Sequence, residues 1–174
     1  MNHRLFAAFS IAMTEDRSVK RRTFLTGTAA AGFALALAPL TAIPALAAKP
    51  EIFTGLVEGV AVGGFDPVAY FVQGMPVAGD ETITLEHGGA TWRFSSEENR
   101  ALFAADPGKY APKYGGYCSY AAASGYTAKG DPEAWNIVDG RLYLNYSKGV
   151  RKRWERDIPG NITKADANWP GILQ

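Results

Sequence analysis

Few side chains in this sequence are equipped for chemistry, and they are scarce enough to name. The stretch YGGYCSY, residues 114–120, holds the single cysteine, Cys118. As a thiolate it would be a soft metal ligand or a redox centre; packed among rings it would be a small apolar filler. Tyr114, Tyr117 and Tyr120 surround it in sequence. Together with Tyr70 they are candidates for a pocket lined by phenol rings, with hydroxyls left to orient a small ligand. His87 is the only histidine after residue 47, and Asp66 stands before Pro67. Asp66 is placed to cap a helix start or to offer an oxygen ligand. Cys118, His87 and Asp66, joined by a tyrosine, would suit a single copper or iron ion if three distant segments converged.

The same inventory excludes much. One cysteine forms no internal disulfide. A zinc centre built from several Cys and His ligands has too few donors. Any Ser-His or Cys-His catalytic pair is confined to His87. Beyond residue 47 the chain carries 13 basic and 15 acidic residues. That balance gives no field for nucleic acid and no polybasic membrane patch. No phosphate loop, dinucleotide fingerprint, nucleophile elbow or paired-histidine zinc motif occurs.

Residues 1–47 read as a targeting segment and not as fold. Arg17, Lys20 and the pair Arg21-Arg22 precede Phe24-Leu25, then an uncharged Ala/Gly/Leu-rich run, then Ala45-Leu46-Ala47. This order predicts a cleavable export signal of the twin-arginine type, ending in an A-x-A site and complete from Met13 onward. Pro39 and Pro44 break the apolar run below the ~20 residues that span a bilayer, so no stable membrane insertion is expected after cleavage. The periplasm or another extracytoplasmic space follows as the destination. Residues 48–174 remain, enough for one domain.

These residues must be positioned by short elements. Alternation over Ile83–His87 and Ala90–Phe94, joined by Gly88-Gly89, predicts a β-hairpin. Trp135–Val138 and Arg141–Asn145 around Asp139-Gly140 predict a second. Ser95 with Glu98 reads as a capping box for a helix to Ala105, with Leu102 and Phe103 inward. Asp106-Pro107 either ends that helix or begins another turn. Tyr110 and Tyr114, four apart, would share one face if helical. Tyr117–Ala123 is a buried helix or strand. Asp66-Pro67 and Asp131-Pro132 both read as helix starts. Ser147 caps a helix to about Asp157, with Val150 and Trp154 inward and Lys148, Arg151, Lys152, Arg153 and Arg156 solvated. A last helix is predicted over 161–168. No internal repeat is apparent. Two hairpins and several short helices indicate a small α+β domain.

The segments GFDPVAYF (64–71), GATWRFSSEENRALFAADPGKYAPKYGGYC (89–118) and DPEAWNIVDGRLYLNYS (131–147) resemble exported YHS-domain proteins, over nearly all of the chain beyond the signal. The resemblance implies a YHS/TRASH-like scaffold. Related modules are associated with heavy metals, copper among them, which implies a metal-handling role. Their cysteine pattern resembles Asp-Pro-Val-Cys, then Phe-Cys-Ser-x-x-Cys. Here Ala69 stands at the first of these places, and Ser95, Ser96 and Asn99 around the later ones. A site built from several thiolates is therefore not available.

Taken together, the sequence predicts an exported binding module that holds a metal ion or small ligand near Cys118 and the tyrosines. A small redox enzyme using Cys118 or a tyrosine with a bound metal, and a structural domain with a dry Cys118, are the alternatives.

Overall fold

The computed structural model describes residues 48–174; the expected export signal lies outside the described residues. The domain is α+β, with two separate two-stranded antiparallel sheets and several short helices. Strand β1 (Asp80–His87) pairs with β2 (Ala90–Phe94), and β3 (Asp131–Val138) with β4 (Arg141–Asn145). The helices are α1 (Ala69–Val72), α2 (Glu97–Ala105), α3 (Pro107–Tyr110), α4 (Ser119–Ala123), α5 (Lys148–Trp154) and α6 (Ile158–Asn168). Among the described residues no helix is long and apolar enough to cross a membrane.

Both hairpins form where the turn residues predict. Gly88 and Gly89 have φ of 61° and 75°, and Asp139 and Gly140 of 50° and 70°. Two consecutive positive φ values match the twist of the flanking strands. Helix starts follow local oxygen acceptors. Ser96 Oγ accepts from Asn99 N at 3.1 Å, and Ser147 Oγ from Val150 N at 3.3 Å. Asp106 Oδ1 accepts from Lys109 N, with Pro107 in the first turn of α3.

Several expectations are corrected. The cap of α2 is Ser96, one residue later than predicted, because the Ser95 hydroxyl is bound to Asp66. Asp131-Pro132 opens strand β3 and not a helix. The β3–β4 register shifts between Asp131 and Trp135, and proline is tolerated at such a bulge because it owes the ladder no N–H. Helix α6 begins at Ile158, earlier than predicted, because Asp157 Oδ1 caps it at Gly160 N. Tyr110 and Tyr114 do not share a face. Tyr110 ends α3 and meets Phe71 edge-on, whereas Tyr114 has φ 57° and lies beside Tyr143 and Trp169.

The structure also contains an internal repeat that the sequence reading misses. Two units run through the same series. Each opens on a 3-10 turn, Ala61–Gly64 or Lys113–Gly116, with left-handed backbone at Val62, Gly63 and Gly64 or at Tyr114, Gly115 and Gly116. A short helix follows, then a bulged hairpin, a serine-capped helix and an aspartate-capped helix. The bulges coincide: Asp80 pairs with Phe94 and Thr84 with Arg93, as Asp131 pairs with Asn145 and Trp135 with Leu144. The cross-links coincide too: Asp66 N donates to Val77 O, and Cys118 N to Ala128 O, both at 2.9 Å. What the units share in sequence is mostly glycines and caps, where backbone geometry limits the choice, with a few further matches such as Arg100 with Arg151 and Asp80 with Asp131. Elsewhere their side chains have diverged.

Each unit builds its own core, and β4 serves both. Trp92, Phe94 and Phe103 are fully buried, with Phe103 4.7 Å from Trp92 and 5.3 Å from Phe94 between ring centroids. Burying each such ring contributes about 1.5–3 kcal/mol. Leu142 and Leu144 of β4 pack into this cluster. Tyr143 between them points the other way and joins Tyr114, Ala122, Trp154 and Ala165. Period-two alternation thus makes one strand the shared wall of both cores.

Close approach of backbone fixes how the second unit closes. A Cβ on Gly130 would collide with the carbonyl oxygen of Gly116. Gly130→Ala is expected to destabilise the domain by about 1–3 kcal/mol in urea denaturation, as overpacking does; an unchanged midpoint would contradict that packing. Tyr70 and Tyr114 supply a second check. Burial, followed by Glu133, Asp131 and Asp66, pushes the Tyr70 phenol well above its ordinary value of 10.0. Burial, then Asp166, does the same at Tyr114. Because the folded values are raised, this contribution to stability is complete below pH 10 and is lost above it, as the unfolded chain releases protons the folded chain retains. An ultraviolet titration should therefore show these two phenols ionising only as the domain unfolds, and Tyr70→Phe should lessen the loss of stability above pH 10.

Candidate functional site

The two units place different side chains at matching positions, and the difference creates a site. In the first unit Asp66 is completely buried. Its Oδ1 accepts from the backbone N–H of Val68 (2.8 Å) and Ala69 (3.3 Å). Its Oδ2 accepts from Ser95 N (2.8 Å), Ser95 Oγ (2.6 Å) and Asn99 Nδ2 (2.6 Å). One carboxylate thus ties the start of α1 to the end of β2 and the first turn of α2. All its acceptor capacity is spent within the protein.

The corresponding residues of the second unit are Cys118, Tyr146 and Val150. Cys118 takes the place of Asp66 and caps α4, its Sγ accepting from Ala121 N at 3.4 Å. Its thiol faces Asn145 Oδ1 at 3.9 Å, and that same oxygen accepts from Tyr120 N at 3.2 Å. Tyr146 follows β4 as Ser95 follows β2, and Val150 occupies the capped turn of α5 as Asn99 does that of α2. None of these three can reproduce the carboxylate network. A cleft of about 300 Å³ lies here, and Cys118, Tyr146 and Val150 all line it. Tyr120, Tyr126 and Arg153 complete most of its wall.

The thiol is therefore neither exposed nor sealed away from any hollow. Cys118 is 1 % exposed yet contributes to the cleft. Beside it, Asn145 Nδ2 and Ser119 Oγ are buried without a protein partner, whereas the equivalent region of the first unit has each carboxylate oxygen engaged by protein donors.

The predicted site residues are brought together only in part. Tyr120 lines the cleft. Tyr117 lines a neighbouring hollow of about 380 Å³, with Phe53 and Lys129, and its hydroxyl donates to Pro50 O. The Tyr70 hydroxyl donates to Pro132 O at 3.1 Å, and its ring meets Trp135 edge-on. The Tyr114 hydroxyl donates to Asp166 Oδ1 at 3.0 Å. Tyr70 and Tyr114 are therefore committed to packing. His87 is exposed at the end of β1, its ring edge-on to Phe103. Among the described residues no three His, Cys, Asp or Glu side chains form a group that could hold a metal ion. Cys118, His87 and Asp66 do not assemble, and Asp66 has no acceptor to spare, so this donor set does not fit a shared copper or iron ion.

Sequence reasoning missed Tyr126, Tyr146, Val150 as a wall residue, Arg153 and Asn145. The signal was present: VGGFD (62–66) matches YGGYC (114–118) through its glycine pair, and FSSEEN (94–99) matches NYSKGV (145–150) through its capping serine. That correspondence aligns Cys118 with Asp66.

The chain matches no protein-family model, no curated protein and no solved structure. The functional reading rests on the site itself.

The same position should behave differently in the two units. Asp66→Ala strands several buried donors and should cost about 3 kcal/mol or more. Cys118→Ala removes one sulfur beside an existing cleft and should cost about 1–2 kcal/mol. Urea denaturation of the two variants measures the contrast; equal losses would mean the second unit is as tightly tied at this point as the first.

Proposed function

We propose that this chain is an exported, YHS-like binding module that holds a small molecule in the Cys118 cleft. The carrying observation is the asymmetry of the repeat. One scaffold appears twice; in one copy a buried carboxylate network occupies the place, and in the other Cys118, Tyr146 and Val150 line a cleft. Concave, mostly apolar sites with a few placed polar groups are the usual form of small-ligand pockets, and about 300 Å³ is at the small end of their range.

The small-molecule form of this reading is preferred to the copper or iron form. A soft ion would have Cys118 as its only sulfur donor, without Asp66 or His87 in reach as a group. Redox turnover has no further support, since the cleft lining holds no histidine, aspartate or glutamate beside the thiol.

A fragment screen by ligand-observed NMR on the full chain tests the proposal. Hits should compete for one site, perturb the amides of Ala121 and Val150, and be lost in Val150→Trp, which fills the cleft. Elemental analysis alongside covers the metal form: a stoichiometric metal that disappears in Cys118→Ser would replace the small molecule with an ion. No hit in the cleft and no metal would leave a purely architectural domain.

A further inference from the structure

The cleft's walls and its single charge specify the class of molecule it takes. Its lining carries no acidic side chain, and Arg153 is the one charged residue in it. Of the other α5 cations, Arg151 Nε lies 3.3 Å from Glu155 and Lys148 Nζ 3.4 Å from Glu133, and Lys152, exposed, does not line the cleft. Arg153 makes no ion pair among the described residues. Outside this lining, Lys129 Nζ, which lines the neighbouring hollow, sits 5.2 Å from the centre of the Tyr146 ring. The rest of the lining is flat or small and apolar. Tyr126 and Tyr146, both lining the cleft, are 56 % and 48 % exposed.

We infer that the ligand is a small organic carboxylate with a flat apolar body, its carboxylate on the Arg153 guanidinium and its body between Tyr146, Tyr126 and Val150. A guanidinium fork matches a carboxylate in two parallel hydrogen bonds and is the least strongly hydrated cation a protein can offer. Aromatic faces and a valine supply apolar contact for a ring or short chain, and a body of that size fits about 300 Å³. A cationic ligand would meet Arg153 with no acid in the lining to offset it, and a neutral one would leave Arg153 unused. The inference rests on the preceding reading that the cleft takes a small molecule, and adds the class.

The test uses isotope-labelled full chain and two probes of one shape, 3-phenylpropionate and its neutral amide 3-phenylpropionamide, titrated by amide chemical shift. The carboxylate should bind at the cleft about tenfold more tightly than the amide, the scale of one hydrogen bond to a charged group. Raising the salt concentration should narrow that gap, since the guanidinium is exposed. Arg153→Gln, an exposed substitution whose spectrum away from the cleft should match the parent, should bring the carboxylate down to the amide's affinity. Equal affinity of the two probes at the cleft, or a gap that survives in Arg153→Gln, overturns the carboxylate inference and leaves the small-molecule reading standing. Shifts from neither probe at Ala121 or Val150 overturn both.

Discussion

The carboxylate of Asp66 has no exposed surface and accepts five hydrogen bonds from four residues. A buried charge is tolerated only when it is met in this way. The first unit is organised around that requirement: the turn before α1, the end of β2 and the start of α2 all present donors to one point. Ser95 is drawn from the helix cap to serve it, and Ser96 caps instead. The geometry of the unit is thus held by polar contacts at its apex and by Trp92, Phe94 and Phe103 beneath.

The second unit retains the scaffold without that constraint. Cys118 asks for much less than a carboxylate, because a thiol is a weak donor and acceptor that packs as a small hydrophobe. Once the charge is gone, nothing compels a serine and an asparagine at the partner positions, and Tyr146 and Val150 stand there. Neither fills the gap: Tyr146 stays half exposed, and Val150 stops short of where an amide would reach. The second core lies beyond, around Trp154 and Tyr143, so the cleft does not cost the unit its packing. Stability and binding are thereby divided between two copies of one fold, joined through the two faces of β4.

That division also accounts for the fate of the metal ligands chosen by residue type. Asp66 is an acceptor already satisfied. His87 serves the rim of the first core by resting on Phe103. Cys118 belongs to the other unit. A set of donors assembled by residue type is spread over both halves of the repeat, and no three of its members meet. The tyrosines divide likewise: Tyr70 and Tyr114 spend their hydroxyls on Pro132 and Asp166, and Tyr120 is the member of the predicted four that reaches the Cys118 cleft.

Local chemistry was legible in the residues themselves. Gly88-Gly89 and Asp139-Gly140 fixed the hairpins because few other residues accept two positive φ values in succession, and Ser147 marked a helix start because its oxygen meets an unpaired backbone N–H group, whereas Asp106 could equally have ended a helix. The single cysteine likewise settled which metal sites were out of reach. Other decisions needed three dimensions. Ser95 leaves its expected cap only because Asp66 is close in space and 29 residues away in sequence. Asp131-Pro132 becomes a strand because β4 is there to pair with it. The cleft exists because three matched positions carry Cys118, Tyr146 and Val150 in the second unit, where the first has the hydrogen-bonded Asp66, Ser95 and Asn99. Turns and caps are short-range and are written in adjacent residues; a cavity is what distant residues fail to fill, and only the folded chain decides that.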